Sequence, residues 1–140
     1  AAIFARSGGE RPYVVRNELA EVMYDKAGIF RTSERLTECL DKVHELRERI
    51  GKVVVDDGQT FNTDLTSVFE LESMLEAADC LVTSGLAREE SRGAHTRLDF
   101  PERDDDKWMR HTLSWHDAGE VRLDYKPVTI TKYQPQVRSY

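Results

Sequence analysis

The sequence predicts a mainly α chain: an antiparallel up-and-down three-helix bundle, then a C-terminal β-hairpin and an extended tail. Three observations carry this. Apolar residues recur at helical spacing in three long stretches. Capping residues or glycines punctuate those stretches. After residue 100 the pattern changes to alternation on either side of a Gly-containing turn.

Ser7-Gly8-Gly9-Glu10-Arg11-Pro12 is a flexible entry, and Ala1 to Ser7 reads as the scar of a domain cut. Residues 1–11 are thus expected to be a linker remnant, 12–100 the bundle, and 101–140 a hairpin and tail packed on it. Pro12 suits the first turn of a helix. Val15, Leu19, Val22, Met23 and Ala27 form one stripe, and Gly28 is expected to stop that helix in a left-handed cap. Ile29-Phe30-Arg31 reads as a short apolar connector. Thr32 or Ser33 can cap the second helix, whose stripe is Leu36, Leu40, Val43, Leu46 and Ile50, with Gly51 at its end. Glu45 and Arg49 make a favourable i,i+4 pair on its wet side.

Val53-Val54-Val55 is β-prone and Asp56-Asp57-Gly58 a turn signal. Asn62 is a good N-cap for a third helix from Thr63 to about Ala87, with Leu65, Val68, Leu71, Leu75, Ala78, Leu81, Val82 and Leu86 as its stripe. Gly85 near its end predicts close packing there. Beyond Pro101, Asp104-Asp105-Asp106 can cap a short turn around Trp108. Met109–His116 and Val121–Tyr125, joined by Asp117-Ala118-Gly119-Glu120, read as the hairpin. Pro127 ends regular pairing, and the tail with Pro135 and Tyr140 is expected to lie over a neighbouring surface.

Composition excludes several functions. A net charge of −6 argues against a nucleic-acid binder, which would carry a basic face. No apolar run has the length of a membrane span. Cys39 and Cys80 lie inside helical patterns, beside Leu40 and Leu81, and read as buried free thiols, which fits a reducing, cytoplasmic compartment. Two cysteines cannot supply the four ligands of an iron–sulfur cluster.

The stretch from Arg88 to Pro101 is the unusual one. Arg88, Arg92, Arg97 and His95 fall within ten residues of an acidic protein, around Gly93. Arginine forks suit carboxylates or the carbonyls at helix ends. One reading is a helix C-terminus with its expected cations, leading into a structural corner. The other is a docking corner that holds the chain against something larger.

Ser91 to Trp108 reads SRGAHxRxDxPxRDDxxW. This resembles the signature near the C-terminus of the succinate dehydrogenase and fumarate reductase flavoproteins. Arg16-Asn17-Glu18-Leu19, Gly28-Ile29-Phe30-Arg31, Phe61-Asn62-Thr63, His111-Thr112-Leu113 and the ending Arg138-Ser139-Tyr140 agree with it. The resemblance implies a C-terminal helical domain, a spectrin-like three-helix bundle, within a subunit that oxidises succinate to fumarate. It also implies a covalently held FAD in upstream FAD and capping domains, with electrons passing through an iron–sulfur subunit to a membrane quinone. The complex would lie on the inner face of the cell membrane, contacting the membrane anchor subunits indirectly. Arg88, Ser91, Arg92, Gly93, His95, Arg97, Arg103 and Asp104 are the implied structural or docking residues. Fumarate reductase is the same architecture run in reverse. L-aspartate oxidase shares the serine–arginine–glycine core, and a free-standing interaction module is the reading from a different class.

No catalytic, cofactor or metal site is expected within these residues. There is no GxGxxG after a strand, as a flavin or nicotinamide cradle requires. His44 is expected at the surface or boundary of its helix. His111 and His116, five apart on a strand, point to opposite faces and cannot share a metal. His95 reads as a hydrogen-bonded structural histidine rather than a catalytic base. The Glu102–Asp106 acids lack the spacing of a calcium loop and read as a solvated face or as partners for nearby arginines.

Overall fold

The computed structural model describes residues 2–58, 60–117 and 119–136. Ala1, Ala118 of the hairpin turn and the Arg138-Ser139-Tyr140 ending lie outside the described residues. The chain is mainly helical, with four helices and a small two-stranded antiparallel sheet. After a 3-10 turn over Ala2–Ala5 come α1 (Pro12–Lys26), β1 (Phe30–Arg31), α2 (Ser33–Ile50) and α3 (Thr63–Ala87). Then follow β2 (Thr96–Arg97), α4 (Asp105–Trp108), β3 (Arg110–Asp117) and β4 (Glu120–Pro127).

The stripes meet in one core. Val15 and Leu19 of α1, Leu36, Cys39, Val43 and Leu46 of α2, and Val68, Leu71, Leu75, Ala78 and Val82 of α3 are buried together. Burying an aliphatic side chain stabilises by about 1.5–3 kcal/mol, so this cluster is the main force joining the helices. Leu81 departs from its expected place: it is 45% exposed, on the flank of the α3 stripe. Cys80 is only partly buried, whereas Cys39 is fully so, and both thiols are free.

Local signals acted as capping chemistry dictates. The Thr32 hydroxyl accepts from Arg35 N at 3.2 Å and Asn62 Oδ1 from Leu65 N at 2.9 Å. Asp104 caps α4 by accepting from Lys107 N at 2.9 Å. Asn62 does more than cap, since its amide nitrogen donates to the carbonyls of Asp56 and Gly58 and ties down the preceding loop.

Four expectations are corrected. Gly28 is not in the left-handed region; α1 closes at Ala27, whose N–H bonds Met23 O at 3.1 Å. Gly28 is instead a close-approach glycine, because a Cβ there would stand 2.9 Å from Tyr24 O. The connector after it is a strand: β1 pairs in parallel with β2, Phe30 opposite Thr96 and Arg31 opposite Arg97. Val53-Val54-Val55 forms no strand. Val53 is buried in the helical core, and Val54 N donates to Glu10 O at 2.9 Å. Finally, Arg49 is not merely the wet-side partner of Glu45. It also binds Glu10 and Glu18 through four short bonds, linking the end of α2 to the start of α1.

The hairpin runs in regular register from Arg110 opposite Pro127 to Asp117 opposite Glu120. Gly119, at φ +92°, supplies the turn conformation that side chains resist. Its contacts with α3 include His116 Nε2 at 3.7 Å from the buried Asp79 carboxylate, which Arg47 holds at 2.8 Å and His44 approaches at 3.3 Å. Among the described residues no helix is long and apolar enough to cross a membrane.

Candidate functional site

The arginine-rich stretch leaves α3 and folds into a corner between the helix end, β1 and the hairpin. Arg92 and His95 exchange backbone hydrogen bonds of 2.9 and 3.1 Å, with Gly93 at φ +60° making the reversal. Ser91 fixes the loop: its hydroxyl accepts from Arg97 N at 2.9 Å and donates to Phe100 O at 2.9 Å.

Arg97 is fully buried. One terminal nitrogen donates to the carbonyls of Gly85, Leu86 and Arg88, at 3.0–3.2 Å. It therefore satisfies carbonyls that the end of α3 leaves without helical partners. Its other nitrogens form a fork with Asp99 at 2.8 and 2.9 Å, and one also reaches the Ser33 hydroxyl at 2.7 Å. The Arg97 guanidinium, helped by Ser33, holds the Asp99 carboxyl far below the usual carboxylate range against the opposing effect of burial.

Glu90 is the second centre, also fully buried. It accepts from Arg88 Nε at 3.0 Å, from Arg92 at 2.8 and 3.0 Å, and from Asp104 N at 3.0 Å. Burial works against its charge, but the bonds from Arg92 and the Asp104 amide, with Arg88 nearby, outweigh it and lower its pKa. Arg88 spans the seam to the hairpin, donating to Trp108 O at 2.6 Å, Arg110 O at 3.1 Å and the Thr112 hydroxyl at 3.0 Å. Arg103 forks onto Asp105 and donates to Gln136 O at 2.7 Å.

His95 lies between Arg31, 2.9 Å from Nδ1, and Arg88 O, 3.1 Å from Nε2. With an arginine donating to Nδ1, the proton belongs on Nε2, which donates to the carbonyl. Burial first, then the charges of Arg31, Arg97 and Arg88, push its pKa down, so the ring is held neutral.

The structure thus brings Arg88, Ser91, Arg92, His95, Arg97, Arg103 and Asp104 into one connected network, while Gly93 turns the chain at its exposed edge. Four participants are not among the residues that the sequence marks as candidates: Glu90, Asp99, Arg31 and Arg110. Glu90 had a signal, its place two residues from both Arg88 and Arg92. Arg31 was hidden in an apparently apolar connector, and nothing local marked Arg110. Arg31, Arg88, Arg92 and Arg110 line a cleft of about 530 Å³, whose walls also include Trp108 and Leu81.

No group of three or more His, Cys, Asp or Glu suited to a metal occurs among the described residues. The N-termini of α2 and α3 are closed by their own caps, α1 begins on Pro12, and β1 and β2 span two residues each.

Comparison with known proteins places the chain. The family model described as fumarate reductase flavoprotein C-term matches residues 16–140. This chain belongs to that family. A fumarate reductase flavoprotein subunit of Mycobacterium tuberculosis is 44% identical over 95% of the chain, which covers 23% of that protein. A succinate dehydrogenase flavoprotein subunit of Rickettsia bellii is 42% identical over 89% of the chain and 21% of that protein. Among solved structures, Escherichia coli quinol fumarate reductase superposes with a TM-score of 0.90 at 42% identity, covering 96% of this chain and 24% of its own. The Mycobacterium smegmatis Sdh1 complex gives 0.80 at 32% identity, over 90% and 22%. The chain therefore spans about a quarter of the length of the relatives it matches and corresponds to the C-terminal domain of their flavoprotein subunit. Adenylylsulfate reductase of Archaeoglobus fulgidus, at 22% identity and a TM-score of 0.79, shares the fold.

Proposed function

We propose that this chain serves as the structural and docking domain of a flavoprotein subunit that interconverts succinate and fumarate. The observation that carries the reading is the family match across residues 16–140, together with relatives of both names. In the whole subunit FAD, held covalently by the upstream domains, accepts the hydride from succinate. Electrons then pass through an iron–sulfur subunit to a quinone. The direction is set by the potentials of flavin and quinone, which lie outside these residues. The complex is peripheral on the inner face of the cell membrane, and the membrane anchor subunits meet this chain only indirectly.

The chain's own part is to buttress the FAD and capping domains. Its fold is an antiparallel, spectrin-like three-helix bundle over residues 12–100, with 1–11 as the linker and 101–140 as the packed hairpin and tail. Ion pairs support the antiparallel arrangement. Arg49 at the end of α2 meets Glu10 before α1, Lys26 at the end of α1 meets Glu38, and Arg47 meets Asp79 of α3. Arg88, Ser91, Arg92, Gly93, His95, Arg97, Arg103 and Asp104 form the rigid corner from which docking is made.

The deciding measurement is the mass and visible absorbance of the native polypeptide that carries this sequence. A chain several times longer, with a flavin spectrum that survives denaturation and succinate-dependent dye reduction, is expected. A short, colourless polypeptide would overturn the reading. In the complete subunit Arg92→Ala should weaken assembly with the iron–sulfur subunit or lower flavin content; unchanged assembly, stability and flavin content would count against the docking role.

A further inference from the structure

The cleft beside the arginine corner has a charge imbalance that the internal network leaves in place. Four arginines line it and no acid does. Arg88 and Arg92 share Glu90, but Arg31 and Arg110 have no carboxylate partner among the described residues. Among the described residues Arg31 donates to Gly28 O, at 2.6 Å, and to the His95 ring. Arg110 lies over the Trp108 and Tyr125 rings, at 4.8 and 4.0 Å, and its buried Nε has no hydrogen-bond partner among the described residues. Burial, with Arg97 nearby, pulls the pKa of Arg31 below its ordinary value, the mark of a cation that lacks a counter-charge.

Resting on the reading above, we infer that this cleft is the receptor for an acidic side chain from the rest of the same flavoprotein subunit, gripped between Arg31 and Arg110. Relatives carry roughly three quarters of their length outside the region matched here, so the same polypeptide has ample chain to supply it. Trp108, Met109, Leu81 and Val128 give the cleft an apolar wall. That suits the methylenes and carboxylate of a Glu or Asp on a packed segment better than a freely hydrated ion, and a pairing shut off from water is worth more than one in solvent.

The test uses the complete subunit in its native complex. A benzophenone amino acid replaces the exposed His111 on the cleft rim, and the products of illumination are mapped by mass spectrometry. The expected product is a cross-link within the polypeptide to an upstream segment bearing Asp or Glu. The double variant Arg31→Gln with Arg110→Gln should lower its yield by about tenfold, as loss of a charge-assisted bond predicts. Arg110→Lys should retain much of the yield, and Arg122→Gln, on the hairpin over Trp115, should leave it unchanged. Circular dichroism and flavin content confirm that each variant is folded. Should the double variant fail to fold, the cross-link map of the otherwise unaltered subunit and the Arg110→Lys yield decide. Cross-links to a segment without acids, to another subunit or to residues 137–140 overturn the inference, as does a yield indifferent to the double variant. A wild-type subunit with covalent flavin and dye reduction, but with one of those outcomes, would sink this inference alone and leave the proposed function standing.

Discussion

Arg97 concentrates the residue-scale physics. A fully buried guanidinium is tolerated because three carbonyls, a carboxylate and a hydroxyl surround it. Removing it leaves the end of α3 unsatisfied and Asp99 without its counter-charge. Arg97→Ala should therefore cost about 3 kcal/mol, within the range for breaking a buried ion pair, read as a lower denaturant midpoint. His95 gives a pH signature. Its pKa in the fold lies below the ordinary 6.5, so the unfolded chain takes up the proton first. Its contribution to stability is complete above about pH 6.5 and is lost as the pH falls towards the folded value. His95→Gln should flatten the stability–pH curve in that window; an unchanged slope would show that the ring does not titrate differently on folding.

At the scale of elements, the ends of helices matter more than their middles. Asn62 both caps α3 and holds the loop from Asp56 to Gly58. Asn62→Ala should cost about 1–2 kcal/mol, the upper part of the range for a lost N-cap, and should speed hydrogen exchange in the first turn of α3 rather than at its end. The capping residues and the Gly93 reversal could be read locally, since each acts on atoms within a few positions. Gly28 could not: a glycine after an apolar stripe suits a left-handed cap, yet α1 closes at Ala27 and the chain runs on into β1, which pairs with β2. Val53 illustrates the same limit. Three valines favour a strand in isolation, yet among the described residues they belong to no strand and the first packs into the helical core.

Across the whole molecule, the helices and the hairpin are joined at Trp108. Its ring is buried, with Arg88, Lys107 and Arg110 close to it and Tyr125 edge-on at 5.6 Å. Trp108→Ala should cost about 3–5 kcal/mol and uncouple the hairpin, so that exchange of β3 and β4 amides accelerates well before α2 and α3 open. Simultaneous opening of all four would show instead that hairpin and helices unfold as one unit.

The sequence by itself determined the three apolar stripes, the cap at Asn62, the narrowing of two others to Thr32 or Ser33 and to the Asp104-Asp105-Asp106 run, the limits of α3, the hairpin, and the arginine-rich motif that marks the family. These follow from periodicity and from side chains acting on backbone a few residues away. Tertiary structure decided which acid each arginine holds, the pairing of β1 with β2, the clamp of Arg49 on Glu10 and Glu18, and the exposure of Leu81. It also decided that Arg31 and Arg110 face one cleft without a carboxylate. The reason is combinatorial: many acids are available to each arginine along the chain, and only the packing of the helices brings one within hydrogen-bond reach while leaving another cation without a partner.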